Sequence, residues 1–231
     1  MSVLRLRTTL MNRRVTGLIV VTMFTSGCAH SLEVKNIDLY KAAFVNSQQA
    51  SIKVGLIGVT STPEEERLLT ATANAMKRDG FKVEYPFILN DDSRKSVDYV
   101  VKVKTSSEYK GSGWNFLITC PGSLIWTPAW HGFDYRAMYG FDVDITDTKT
   151  NTALPRLSSP VDLDIRHADM NRTWSEIFGF GYLLPVTCVA GIVFTRYDNS
   201  VTPLLLNAIE TRIADYTSSK IGAALIGGKG S

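Results

Sequence analysis

The residues of this 231-residue chain best suited to chemistry are its three cysteines, Cys28, Cys120 and Cys188. A catalytic thiol needs a nearby base and a lowered pKa, commonly supplied by a helix N-terminus. Cys120 is followed by Pro121 and Gly122, a poor start for a helix, and its nearest histidine in sequence is His131. His30, His131 and His167 lack metal-ligand spacing. There is no nucleophile elbow, and the terminal Gly-Lys-Gly-Ser has no following helix to hold phosphates. No catalytic residue, cofactor or metal is assigned, and the chain reads as a non-enzyme.

Asp142, Asp144, Asp162 and Asp164 alternate along two candidate strands, which places them on one outer face. Such hard oxygen ligands could hold calcium. Solvated acids balanced by Arg136 and Arg166 in the same rows are the simpler expectation.

Periodicity predicts the elements that position these groups. The run SIKVGLIGV, residues 51–59, is apolar on both faces, as in a strand covered on two sides. Thr62 as N-cap, Pro63 in the first turn and Glu65 closing a capping box begin a helix. Leu68, Leu69, Thr72, Ala75 and Met76 form its apolar stripe, and Gly80 ends it. Short alternation follows at 81–85, a polar loop at 90–94 and a further strand at 97–104. From 135 to 145 apolar and polar residues alternate, and Val161, Leu163 and Ile165 suggest a returning strand. Thr202 and Pro203 repeat the cap signal before a second amphipathic helix carrying Leu205, Ile209, Ile213 and Tyr216. The expected fold class is α/β (α+β): one domain with a mixed sheet and at least two packed helices. The first strand, the capped helix and the strand containing VDYVV resemble the α/β domain of envelope assembly lipoproteins, including the curli secretion channel and exopolysaccharide-export lipoproteins.

The N-terminus implies a location. Residues 1–27 carry Arg5, Arg7, Arg13 and Arg14 without an acid, then an apolar core from Val15 to Phe24, then Thr25, Ser26 and Gly27. This is a secretory signal, with a core shorter than the ~20 residues of a spanning helix. Phe24-Thr25-Ser26-Gly27-Cys28 resembles the lipobox of bacterial lipoproteins, with Thr25 where that family usually has Leu. The resemblance implies cleavage before an acylated Cys28, which anchors the chain in a bilayer. Ala29, rather than Asp, implies an outer-membrane address facing the periplasm. Removing four arginines leaves 21 basic against 22 acidic residues, so the +3 of the whole chain belongs to the signal. No basic stripe then points to nucleic acid. The expected organisation is signal 1–27, lipidated tether 28–50, domain 51–226 and a frayed tail 227–231.

Two segments are without charge: Gly111 to Phe133, 23 residues, and Ile177 to Thr195, 19 residues. Pro121, Pro128 and Pro185 break simple spanning helices there. The segments could be core, or a membrane or partner contact displaying Trp114, Trp126, Trp130 and Phe133, or a subunit interface. The leading expectation is a non-enzymatic envelope scaffold or assembly partner that binds envelope proteins or itself; the runner-up is a lipid-tethered ligand-binding or hydrolytic domain.

Each charge-free segment holds one of the two remaining cysteines, and in an oxidising compartment these read first as one disulfide, with two buried thiols as the alternative. Peptide mapping without reductant should recover Cys120 and Cys188 in one linked species; alkylation of both thiols in the unreduced protein would rule the bridge out.

Overall fold

Period-two hydrophobicity sets the middle of the sheet. In the computed structural model, which describes residues 30–43, 52–120, 122, 127–169 and 191–227, strand β5 spans Phe133–Asp147. It buries Tyr135, Ala137, Tyr139, Phe141, Val143 and Ile145 and turns the intervening residues outward. Around it lie β1 (His30–Val34), β2 (Lys53–Val59), β3 (Lys82–Glu84), β4 (Tyr99–Gly111) and β6 (Leu157–Asp169), in the order β1-β6-β5-β4-β2-β3. β2 is parallel to both β3 and β4, whereas β4 and β5 are antiparallel. The sheet is therefore mixed. Val103 faces Val143 and Thr105 faces Phe141 across the antiparallel pair.

The parallel pairs require a crossover, and helix α1 (Pro63–Arg78) supplies it. Thr62 Oγ1 accepts from the Glu65 N–H at 3.3 Å. The Glu65 carboxylate reaches back to the Ser61 N–H at 2.7 Å, one residue earlier than the expected capping box, and accepts from Ser107 Oγ at 3.0 Å. Glu65 is thus buried because its oxygens are occupied. Gly80, at φ 97°, takes the left-handed conformation that closes the helix.

Helix α1 packs on β2, β3 and β4 and against the 27-residue helix that closes the fold, Val201–Gly227. That helix buries Leu205, Ile209, Ile213, Ile221 and Leu225. Arg67 Nε donates to Glu210 at 2.8 Å and Ser218 Oγ to Asp79 at 2.5 Å across the two helices. The ion pair is exposed and contributes little beside the buried aliphatic contacts. Val201 and Thr202 donate their N–H groups to the Asp198 and Asn199 carbonyls, so the first turn begins before the expected Thr202 cap, and the last turn reaches Gly227.

Two expectations need correction. Residues 90–94 are not simply a polar loop: Asp91–Ser96 is helical (α2), started by a reciprocal pair in which Asn90 Oδ1 accepts from the Ser93 N–H at 2.7 Å and Ser93 Oγ from the Asn90 N–H at 2.9 Å. Nor are residues 30–43 a tether. They contain edge strand β1 and a 3-10 turn at Ile37–Leu39. Asn36 Nδ2 donates to the Asp162 carbonyl at 2.7 Å and Asn36 Oδ1 accepts from the Asp164 N–H at 3.0 Å, so this side chain imitates a strand's peptide group. The Tyr40 hydroxyl bonds both the N–H and the carbonyl of Asp162. Residues 44–51 of the expected tether and strand lie outside the described residues.

Phe141→Ala should cost about 3–5 kcal/mol, as for a fully buried aromatic, and Thr62→Ala about 1 kcal/mol, as for a lost cap. Urea unfolding checks both; equal losses would contradict the division between core and cap.

Candidate functional site

The contacts divide the chain into two units: residues 1–32, 113–133 and 166–195 form one, and 33–112, 134–165 and 196–231 the other. The first draws on both charge-free segments. In it Asn115–Thr119 forms α3, whose Ile118 and Asn115 are buried while Trp114 and Leu117, three residues apart on one side, are 57% and 46% exposed. Thr127–Trp130 forms α4 and ends with Trp130 at 65% exposure. Residues 191–194 are helical, and Ile192 and Val193 are exposed at 61% and 64%.

The opposite sides of these turns make the unit's packing. A side chain at Gly132 would lie 2.7 Å from the His167 carbonyl, and φ there is 78°, so only glycine fits. Phe133 is fully buried and stacks on Phe194 at 5.7 Å and 22°. Gly191 is buried, 3.1 Å from the Phe116 ring at its would-be Cβ.

The expected contact set Trp114, Trp126, Trp130 and Phe133 therefore separates. Trp114 and Trp130 are displayed at the surface. Phe133 is core, as is Tyr135, because both belong to the inward row of β5. Trp126, Cys28 and Cys188 lie outside the described residues. Cys120 is buried at the C-terminal end of α3, where its N–H donates to the Phe116 carbonyl at 2.7 Å.

In the second unit the polar groups serve the structure. The Arg136 guanidinium grips the Asp162 carboxylate with both Nε and an Nη and holds it below the usual carboxylate range. Arg156, which sequence reading passed over in favour of Arg166, lies 3.4 Å from Asp142 and 3.6 Å from Asp144. Among the described residues no three or more His, Cys, Asp or Glu form a group able to hold a metal ion. A half-open groove of about 350 Å³ is lined by Lys35, Lys110, Ser112, Asp134, Arg136 and Asp164. Its cations are committed to carboxylates: Lys35 to Asp134 at 3.0 Å, Lys110 to Glu108 at 2.8 Å and Arg136 to Asp162.

Sequence reading also missed a tyrosine cluster. Tyr109 stacks on Tyr197 at 4.7 Å and shares a 3.2 Å hydroxyl contact with Tyr139; the Tyr197 hydroxyl meets Thr202 at 3.1 Å. Burial raises all three pKa values, so the hydroxyls stay protonated and act as hydrogen-bonding members of the packing. Tyr85 is pushed up to about 12 by burial and by its hydrogen bond to Glu66. None of these is tuned toward general-base work near neutral pH. The alternating position 139 was visible in the sequence; the stacking partners 109 and 197 lie far apart in the chain and carry no local signal.

No protein-family model matches the chain, and no curated protein matches it in sequence. Among solved structures it is similar to a point-variant PelC dodecamer from Paraburkholderia phytofirmans, with 9% identity, 81% of this chain and 97% of that one covered, and a TM-score of 0.30. A neuraminyllactose-binding hemagglutinin homolog from Helicobacter pylori gives 9% identity, 69% and 92% coverage and a TM-score of 0.32. TolB from Acinetobacter baumannii gives 10% identity and a TM-score of 0.28 over 66% of this chain, which spans 32% of that one.

Proposed function

We propose that the chain is a non-enzymatic lipoprotein, anchored through acylated Cys28 at the outer membrane and facing the periplasm, that serves as a scaffold or assembly partner in the cell envelope. The observation that carries this reading is the set of large apolar side chains displayed by the first unit: Trp114, Leu117, Trp130, Ile192 and Val193. Exposed apolar residues gathered in one unit mark a contact surface more often than a catalytic one. The titratable groups of the second unit support the same reading, because Asp142, Asp144 and Asp162 are matched to arginines and Glu65 to a helix start. A ligand-binding domain, the alternative, would present a closed pocket with convergent unpaired polar groups; the groove beside Lys35 is half open and its cations are paired.

Trp130→Ser should leave the urea midpoint nearly unchanged, whereas Phe133→Ala should lower stability by about 3–5 kcal/mol. Crosslinking in intact cells should capture an envelope protein or a second copy with the native chain, and Trp114→Ser with Trp130→Ser should leave the protein folded. Unfolding by the tryptophan substitutions would make the residues core and remove the surface. A folded native chain that crosslinks to no envelope component would overturn the scaffold reading.

A further inference from the structure

We infer that the displayed side chains of the first unit form a bilayer-contact face, pressed into the headgroup region by a lipid anchor that joins the chain almost directly to the sheet. The inference rests on the acylation of Cys28 proposed above. β1 begins at His30, so Ala29 alone separates the anchor from a strand. Two residues span at most about 7 Å. The tether 28–50 expected from the sequence would have allowed an excursion of roughly 25 Å, from about 5–6 Å times the square root of the residue number. The short leash decides where the unit can be.

His30, where the leash ends, belongs to the same unit as Trp114, Leu117, Trp130, Ile192 and Val193. Once the acyl chains enter the hydrocarbon, that unit is confined to the interface, and even a weak second contact operates at a high effective concentration. The chemistry of the face suits that position. Trp prefers the headgroup level, with an apolar ring and one N–H for the wet side, while Leu, Ile and Val favour the acyl boundary. The described stretches that carry it, 113–120, 127–133 and 191–195, contain no Asp, Glu, Lys or Arg, so no formal charge must be desolvated as it enters. Among the described residues no helix is long and apolar enough to cross a membrane. A contact of this kind lies on one leaflet, with the apolar side chains at the headgroup and acyl boundary.

The test uses full-length protein matured in cells, extracted and reconstituted into phosphatidylethanolamine and phosphatidylglycerol vesicles with plain or brominated acyl chains. Flotation reports anchoring and tryptophan emission reports contact. The native protein should float and lose emission in brominated vesicles; W114F/W130F should float equally, keep its thermal unfolding midpoint and lose most of that quenching. A native protein that floats with undiminished emission would overturn the bilayer face and leave the anchor standing. Undiminished quenching in W114F/W130F would also overturn the face, as would copies crosslinked through Trp130 in its place. A protein that does not float overturns the anchor, and the inference with it.

Discussion

One-sided burial along β5 is the constraint on which the remaining structure depends. Its inward row runs from Phe133 to Ile145 at every second position, and a slip of one residue against β4 would carry that row to the outer face. Burial therefore fixes register. With β5 fixed, β4 and β6 are placed beside it, the parallel strand β2 follows, and α1 must cross over to connect β2 with β3. The inward row also draws Phe133 into the core, which is why that residue is unlike Trp114 and Trp130.

The outer face obeys a different logic. Its acids are numerous enough to suggest a cation site, but guanidinium groups take up Asp142, Asp144 and Asp162. Exposed pairs of this kind add little stability. Their effect is to leave the sheet surface wet and balanced.

The parts of the fold readable in the sequence are those whose signals are local. α1 announces itself by Thr62, Pro63 and Gly80, and β5 by an eleven-residue alternation whose inward members are all buried. β1 has no such signal. A five-residue edge strand needs few buried residues, and the turn that follows it is held by Asn36 and Tyr40 bonding to Asp162 and Asp164, more than 120 positions away. The short helix after Asn90 was hidden similarly, because an Asn and a Ser three apart are as common in loops as in caps. At the candidate surface, the charge-free segments identified the right stretch of chain. Spacing alone could not say that Trp114 and Trp130 are displayed and Phe133 is not, since that depends on which residues β5 claims.

These elements give the N-terminus its meaning. Under the proposed acylation of Cys28, a strand starting at His30 would hold the anchor close to the fold instead of on a loose tether. The most direct test is intact-mass analysis of the protein isolated from membranes. The account predicts a chain beginning at Cys28 and carrying acyl groups. A mass that retains the first 27 residues, or a matured chain without acyl groups, would contradict it.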